Sequence, residues 1–320
     1  MSALRVPVVA FAALTLVTGC ARDETEATGD SAAGVAAPAE FARAASIQGG
    51  FKTPESVRFD PIDDVYFVSN INGSPDQKDN NGFISRVRAE GGEIDSLMFI
   101  AGGRGGATLH APKGLAITGD TLWVTDIDAV RAFDKRTGSP IASYPVRGAV
   151  FLNDIVPGPD GALYITDTGV RFTDSGVSHP GPDRIFKLTR AGEISTAFQF
   201  KPAIGPNGIA WDDAKQQFIV GAFAENQIVA WKPGDSTTTT LATGKGQFDG
   251  IERLADGRVL VSTWTDSSIY VLDGSALVRA VPGVPSPADI GVDTRRNRVA
   301  IPIFGGDRVE LFAIPAKDGM

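Results

Sequence analysis

The sequence predicts an all-β protein, a six-bladed β-propeller of four-stranded blades, on three observations. A short anchor recurs six times across the 320 residues: a turn, often with proline, then a residue that is usually polar, then a β run. The anchors centre on Glu55, Lys113, Asn153, Asn207, Asp249 and Ala288, spaced by 39 to 58 residues. Behind each come further short runs that alternate and mix β-branched with aromatic residues, bounded by turns such as Asp-Gly and Pro-Gly. Past residue 20 no stretch sustains a helical period. Four strands per unit at this interval is the signature of propeller blades.

The elements follow in order. Residues 1–19 are expected to be a lipoprotein signal peptide: Arg5 is a short positive start, and Val6–Val17 is an apolar run too short to span a bilayer comfortably. Val17-Thr18-Gly19-Cys20 resembles a bacterial lipobox, and the chain's one cysteine sits there, so Cys20 is the expected lipidation site. Ala21, where an Asp would signal inner-membrane retention, points to an outer-membrane anchor with the body in the periplasm. Residues 20–42, rich in Ala, Thr and acids without period, are the lipidated cysteine and a flexible tether.

Residues 43–320 are assigned to the propeller. After the anchors, second strands are expected at Val65–Ser69, Leu122–Thr125, Ala162–Thr166, Gln217–Gly221, Arg258–Thr263 and Arg298–Ile303. Third strands follow at Phe83–Val87, Ala129–Phe133, Arg184–Leu188, Gln227–Trp231, Ser268–Leu272 and Arg308–Ala313. Fourth strands show in five units, among them Ile194–Phe200 and Ala276–Val281. The last unit runs out after its third strand, so Phe41–Ile47 is expected to supply the missing one and close the ring, which removes an exposed sheet edge. The tryptophans, Trp123, Trp211, Trp231 and Trp264, lie on or beside strands and suit packing between blades.

Composition narrows the function. A formal net charge of -8 and a pI near 4.9 exclude a nucleic-acid partner, which needs a basic surface. One cysteine precludes an internal disulfide and a Cys-based zinc site, and two histidines, His110 and His179, leave little room for a His-rich one. There is no Gly-x-Ser-x-Gly elbow and no phosphate-binding glycine loop.

In a propeller the innermost strands line a central channel, and the turns before them lie at one mouth. The anchors therefore converge, with Ser56, Gly114, Asp154, Gly208, Gly250 and Asp289 directly behind them. Glu55, Asn153, Asn207 and Asp249 then present two carboxylates and two amides to one axis. Four hard oxygen donors of that charge suit one divalent metal, Ca²⁺ first, with Mg²⁺, Mn²⁺ or Zn²⁺ as alternatives. Two long connections, Asn70–Gly82 and Thr168–Asp183, fall on the same side and should rim the mouth. The acidic run Asp76–Gly82 lacks the spacing of an EF-hand and is a turn and lid.

The anchors and their flanks, PESVRFDP, PKGLA, LNDI, PNGIAW and FDGI, together with SNINGSPDQKDNNGFISRV, resemble the senescence marker protein/gluconolactonase (regucalcin-like) family of six-bladed propellers over roughly residues 50–315. The resemblance implies that Glu55, Asn153, Asn207 and Asp249 ligate a divalent metal, that Asp249 is also the general base of lactone hydrolysis, and that Asp154 supports the ligands from behind. Two departures stand out. Sugar lactonases of this family carry an arginine two residues before the first Asn, where this chain has Phe151. Related paraoxonase-type propellers carry a histidine at the blade 2 anchor, where this chain has Lys113. Lys113 is expected either to steady a developing oxyanion, as a second catalytic residue beside Asp249, or to pair with Asp126 or Asp154.

The expected function is a divalent-metal-dependent hydrolase acting on a small-molecule lactone or ester. Its one membrane contact would be the N-terminal lipid. The alternative is a non-catalytic envelope propeller that binds a small molecule or protein around a structural metal.

Overall fold

The computed structural model describes residues 40–173 and 176–317. Cys20, the signal peptide and the tether up to residue 39 lie outside the described residues, so the lipoprotein expectation is carried by sequence alone.

Six four-stranded antiparallel sheets follow one another along the chain. Blade 1 comprises Pro54–Asp60, Val65–Asn70, Phe83–Arg88 and Ile94–Ala101, in that order outward from the axis. Blades 2 to 5 repeat the plan from innermost strands Pro112–Thr118, Leu152–Pro157, Pro206–Asp212 and Phe248–Arg253. In blade 6, Gly291–Asp293, Arg298–Ile303 and Arg308–Ala313 come from the C-terminal end of the chain, and Arg43–Gln48 adds the outer strand. That strand pairs from Arg43↔Phe312 to Gln48↔Arg308, and Arg43 forms an ion pair with Glu310. The ring thus closes where the last unit lacked a strand. Outside the blades the described residues add one two-stranded hairpin, Arg171–Thr173 with Gly176–Ser178, inside a connection expected to be plain loop. No helix among the described residues is long and apolar enough to cross a membrane.

Burial explains the composition of the strands. Every residue of Val65–Asn70, Leu163–Asp167, Gln217–Ala222 and Val259–Thr263 is buried, because a second strand has a neighbouring blade on both faces. Outer strands such as Pro140–Pro145 alternate between exposed and half-buried. The apolar clusters lie between blades. Val65, Phe67 and Ile84 of blade 1 meet Leu115, Val124 and Phe133 of blade 2, and Tyr164 and Ile185 of blade 3 meet Phe218 and Trp231 of blade 4. Trp211 and Trp231 pack there on Phe218, and Trp123 packs on Tyr144. Trp264 also packs between blades, on Phe223 of blade 4 and Phe304 of blade 6, and does so at the channel mouth.

A β-bulge sits at each anchor in blades 1 to 5. The ladder breaks between Pro54 and Val57, Pro112 and Leu115, Leu152 and Ile155, Pro206 and Ile209, and Phe248 and Ile251. A bulge re-aims the residue it carries, which turns the anchor side chain out of the ladder. The residue behind it must then pass very close to the next blade. A Cβ on Gly208 would lie 2.1 Å from the Asp249 carbonyl oxygen, and one on Gly250 would lie 2.4 Å from Ile290 N. The glycine of PNG and FDG is therefore a requirement of blade-to-blade approach.

Candidate metal centre

Glu55, Asn153, Asn207 and Asp249 are each no more than 5% exposed, although each stands at the start of an innermost strand. Second-strand hydroxyls pin these anchors. Thr125 donates to the Asn153 carbonyl, Thr166 Oγ1 donates to the Asn207 carbonyl at 2.6 Å, and Ser262 Oγ donates to the Ala288 carbonyl at 2.9 Å. The Asn153 amide is fixed in turn. Its Nδ2 donates to Thr168 Oγ1 at 3.2 Å, which leaves Oδ1 as the free end.

The four side chains share one defect. Glu55 Oε2, Asn153 Oδ1, Asn207 Oδ1 and Asp249 Oδ1 are all buried oxygens without a hydrogen-bond partner. A buried polar atom left unpaired costs about 1–3 kcal/mol, and most buried side-chain polar atoms are paired. Four such atoms at equivalent positions on four blades form a set of acceptors that a donor-free, positively charged partner would complete. Oxygen-only donors with two carboxylates and two amides fit a hard divalent cation. Among the described residues no three His, Cys, Asp or Glu side chains gather as a metal cluster, and half of this donor set is amide.

The electrostatics agree. Burial pushes the Glu55 carboxyl well above the usual range, and the charges of Asp249 and Asp289 push it further. Asp249 is raised by burial and by Asp289. The indole N–H of Trp264, buried and without a well-formed hydrogen bond, sits close enough to act against that rise. Asp154 is pushed up to about 7 by burial, against the pull of Arg58. Among the described residues the channel holds the carboxyl groups of Glu55, Asp154, Asp249, Glu252 and Asp289 against the cations Arg58 and Lys113. That excess of negative charge calls for a cation or for protons.

Asp289 was the missed residue. It follows the non-polar anchor Ala288, accepts Ser56 Oγ at 2.5 Å, and leaves its Oδ1 unpaired. An Asp directly after a ligandless anchor was the available signal. Asp154 is spent on backbone: its Oδ1 accepts Ile155 N at 2.7 Å and its Oδ2 accepts Ile209 N at 2.8 Å, tying blade 3 to blade 4 behind Asn207. Asp126 accepts the N–H groups of His110 and Ala111, both at 2.9 Å, and pairs with Arg131 at 3.1 Å. It holds the turn before Lys113, as Asp167 holds Val150 and Phe151 in the next blade.

Lys113 pairs with neither carboxylate. Its Nζ donates to Pro75 O at 2.9 Å and to Ala111 O at 3.0 Å, and lies 4.1 Å from the centre of the Phe151 ring. Burial draws its pKa down to about 8, opposed by the charge of Glu55. Pro75 belongs to the connection 70–82, so Lys113 fastens that loop over the mouth. The second long connection joins it, since Phe172 N donates to Asp76 Oδ2 at 3.0 Å. The other acid of the first loop, Asp79, is satisfied locally by Asn81, and Lys78 reaches Asp128 of blade 2 at 2.6 Å. His110 Nδ1 accepts Asn80 N, and His179 pairs with Asp183 at the base of the hairpin, so both histidines serve loops.

A groove of about 710 Å³ lies at the far ends of blades 1 and 2. Its charges are consumed by Arg86–Asp95 and by Lys135 with Asp60 and Asp63, so it offers no comparable vacancy of charge.

Comparisons with known proteins bear on the fold and the family. A gluconolactonase from Xanthomonas campestris superposes with a TM-score of 0.65 at 18% identity, covering 88% of this chain and 96% of its own. A structure described as a putative gluconolactonase gives 0.64 at 14%, covering 86% and 94%. A streptogramin B lyase gives 0.59 at 11%, covering 85% and 97%. At these identities the likeness establishes the six-bladed fold. No curated protein matches the chain in sequence. The SMP-30/Gluconolactonase/LRE-like region model matches residues 54–311, most of the chain, and the protein belongs to that family.

Proposed function

We propose that the protein is a divalent-metal-dependent hydrolase of a lactone or ester, held at the cell envelope through a lipid on Cys20. The observation that carries this reading is the set of four unpaired buried oxygens on Glu55, Asn153, Asn207 and Asp249. These residues would hold the cation, which when bound supplies positive charge to polarise a substrate carbonyl. Ca²⁺ suits the donors best, and it acidifies water weakly, so a protein base is needed.

Asp249 is that base. Its burial disfavours the ionised form, which makes the carboxylate a stronger proton acceptor. Glu55 faces it across the channel and keeps the local field negative until the cation balances it. Lys113 places one positive charge at the rim. Two of its three N–H groups hold carbonyls, and the third is left for a developing oxyanion. The loops at 70–82 and 168–183 cover the mouth and limit water there.

A non-catalytic propeller with a structural cation is the second reading, favoured by the engagement of Lys113 in lid fastening. The same fold carries a streptogramin B lyase, so fold does not choose the chemistry. A lactone and ester panel decides between them, run on the full chain with EDTA and then with added Ca²⁺. EDTA-sensitive turnover that Asp249→Ala abolishes supports the hydrolase. Metal-dependent turnover that survives Asp249→Ala refutes the assigned base, and metal binding without turnover on any substrate favours the second reading.

A further inference from the structure

The channel mouth has a chemistry of its own. Each second strand ends at the mouth, and the next residue stands on its rim. Those six positions are Ile71, Ile127, Thr168, Phe223, Trp264 and Phe304. Five are apolar. The sixth, Thr168, has its hydroxyl committed to Pro206 O at 2.8 Å and to Asn153 Nδ2.

These side chains form an apolar collar around much of the mouth. Trp264 meets Phe223 edge-on at 5.6 Å on one side and Phe304 at 5.1 Å on the other. Phe304 packs against the cluster of Ile71, Ala111 and Ile127. Phe151 extends the surface on blade 3, with Phe172 of the hairpin 5.7 Å away. Phe223, Trp264 and Phe304 are only half-buried, so their faces are available. The collar stands over the acceptor oxygens, because Trp264 lies beside Asp249.

We infer that the site takes a lactone or ester bearing an extended alkyl or aryl group, and discriminates against polyhydroxylated rings. This rests on the hydrolase reading for its bond type and on the collar for its substituent. A polyol entering here would lose water from several hydroxyls against hydrocarbon. An apolar pocket disfavours an added hydroxyl by up to about a hundredfold, and a polyol brings several that would go unpartnered. Each methylene that enters the collar gains hydrophobic transfer energy.

The test separates binding from turnover. Calorimetry on the full chain with saturating Ca²⁺ compares non-hydrolysable 2-butyl- and 2-octylcyclopentanone with 1,5-anhydroglucitol, and a second arm measures kcat/KM for γ-lactones of rising chain length against glucono-δ-lactone. The octyl ketone should bind at least tenfold tighter than the butyl one and at least a hundredfold tighter than the polyol. Phe223→Ser and Phe304→Ser, with melting temperatures to confirm folding, should each cut the octyl advantage several-fold. The kcat/KM values should rise with chain length in the same proportion. Ketone binding without turnover of any lactone would leave the substituent preference standing and overturn the hydrolase reading. A polyol that binds as tightly as the octyl ketone, or a glucono-δ-lactone rate equal to that of the long-chain lactones, would overturn the inference.

Discussion

The two levels of the central channel are built from the same strands and solve the same problem differently. At the mouth, Glu55 and Asp249 start the innermost strands of blades 1 and 5 and have buried oxygens with nothing to bond. Three residues on, about 10 Å deeper, Arg58 and Glu252 occupy the matching positions and pair across the channel. Arg58 Nε also donates to Leu115 O at 2.8 Å, and the carboxylates around it raise its pKa. The deeper level is complete within the protein. The upper level leaves acceptors that the proposed cation would complete. Burial alone therefore does not mark a functional charge; burial with an unmet partner does.

Substitution at the upper level should have the largest effect. Asp249→Asn keeps the shape and removes both the base and one ligand charge. Turnover in a lactone assay is expected to fall by about 100-fold to 10,000-fold, while the circular dichroism of the metal-free protein stays as in the parent. Equal turnover in the variant would erase the functional distinction between the levels.

At the deeper level the expected effect is on stability. Glu252→Gln leaves the half-buried Arg58 without its paired carboxylate, which costs about 1–3 kcal/mol and lowers the melting temperature by a few degrees. Replacing both residues with apolar ones should cost less than either single change. Thermal unfolding of Glu252→Gln, Arg58→Met and the double apolar variant checks this, and Ca²⁺ affinity should change little in all three.

pH separates the levels further. In the metal-free protein Glu55 and Asp249 have pKa values raised above those of the unfolded chain. Their contribution to stability is present below the ordinary carboxylate range and is lost as pH rises through the raised values. A bound cation opposes that loss, because it favours the ionised forms and displaces protons. The rise in melting temperature caused by Ca²⁺ should thus grow from pH 5 to pH 8. A rise that shrinks over that interval would place the cation elsewhere.

The smallest expected effect sharpens the role of the amides. Thr168→Val removes the acceptor that orients the Asn153 amide and should weaken Ca²⁺ binding about fivefold, the loss of roughly 1 kcal/mol of positioning. Isothermal titration measures it.

Much of this molecule was legible in advance. Third strands such as Arg184–Leu188 and Gln227–Trp231, and the second strand Arg298–Ile303, fall where alternation places them. The four orphaned ligand-type residues stand out because turns before buried strands rarely carry Glu, Asn, Asn and Asp in one register. What stayed hidden depends on contacts between blades. Lys113 finds Pro75, 38 positions away, rather than Asp126 or Asp154, because those carboxylates are claimed by backbone N–H groups that no spacing reveals. Asp289 is placed behind its anchor by the sequence, but its role stayed hidden for the same reason, since its partner Ser56 is 233 positions away. The collar is invisible along the chain, where its members are single apolar residues after strands, and becomes a surface only once six strand ends meet.

The most direct test is a Ca²⁺ titration of the metal-free full chain by calorimetry, beside Glu55→Gln, Asn207→Leu and Glu252→Gln. One ion per chain is expected, with affinity reduced 100-fold or more in the first two variants and nearly unchanged in the third. Ca²⁺ binding that survives Glu55→Gln and Asn207→Leu undiminished, or that is absent from the parent protein, would contradict the account.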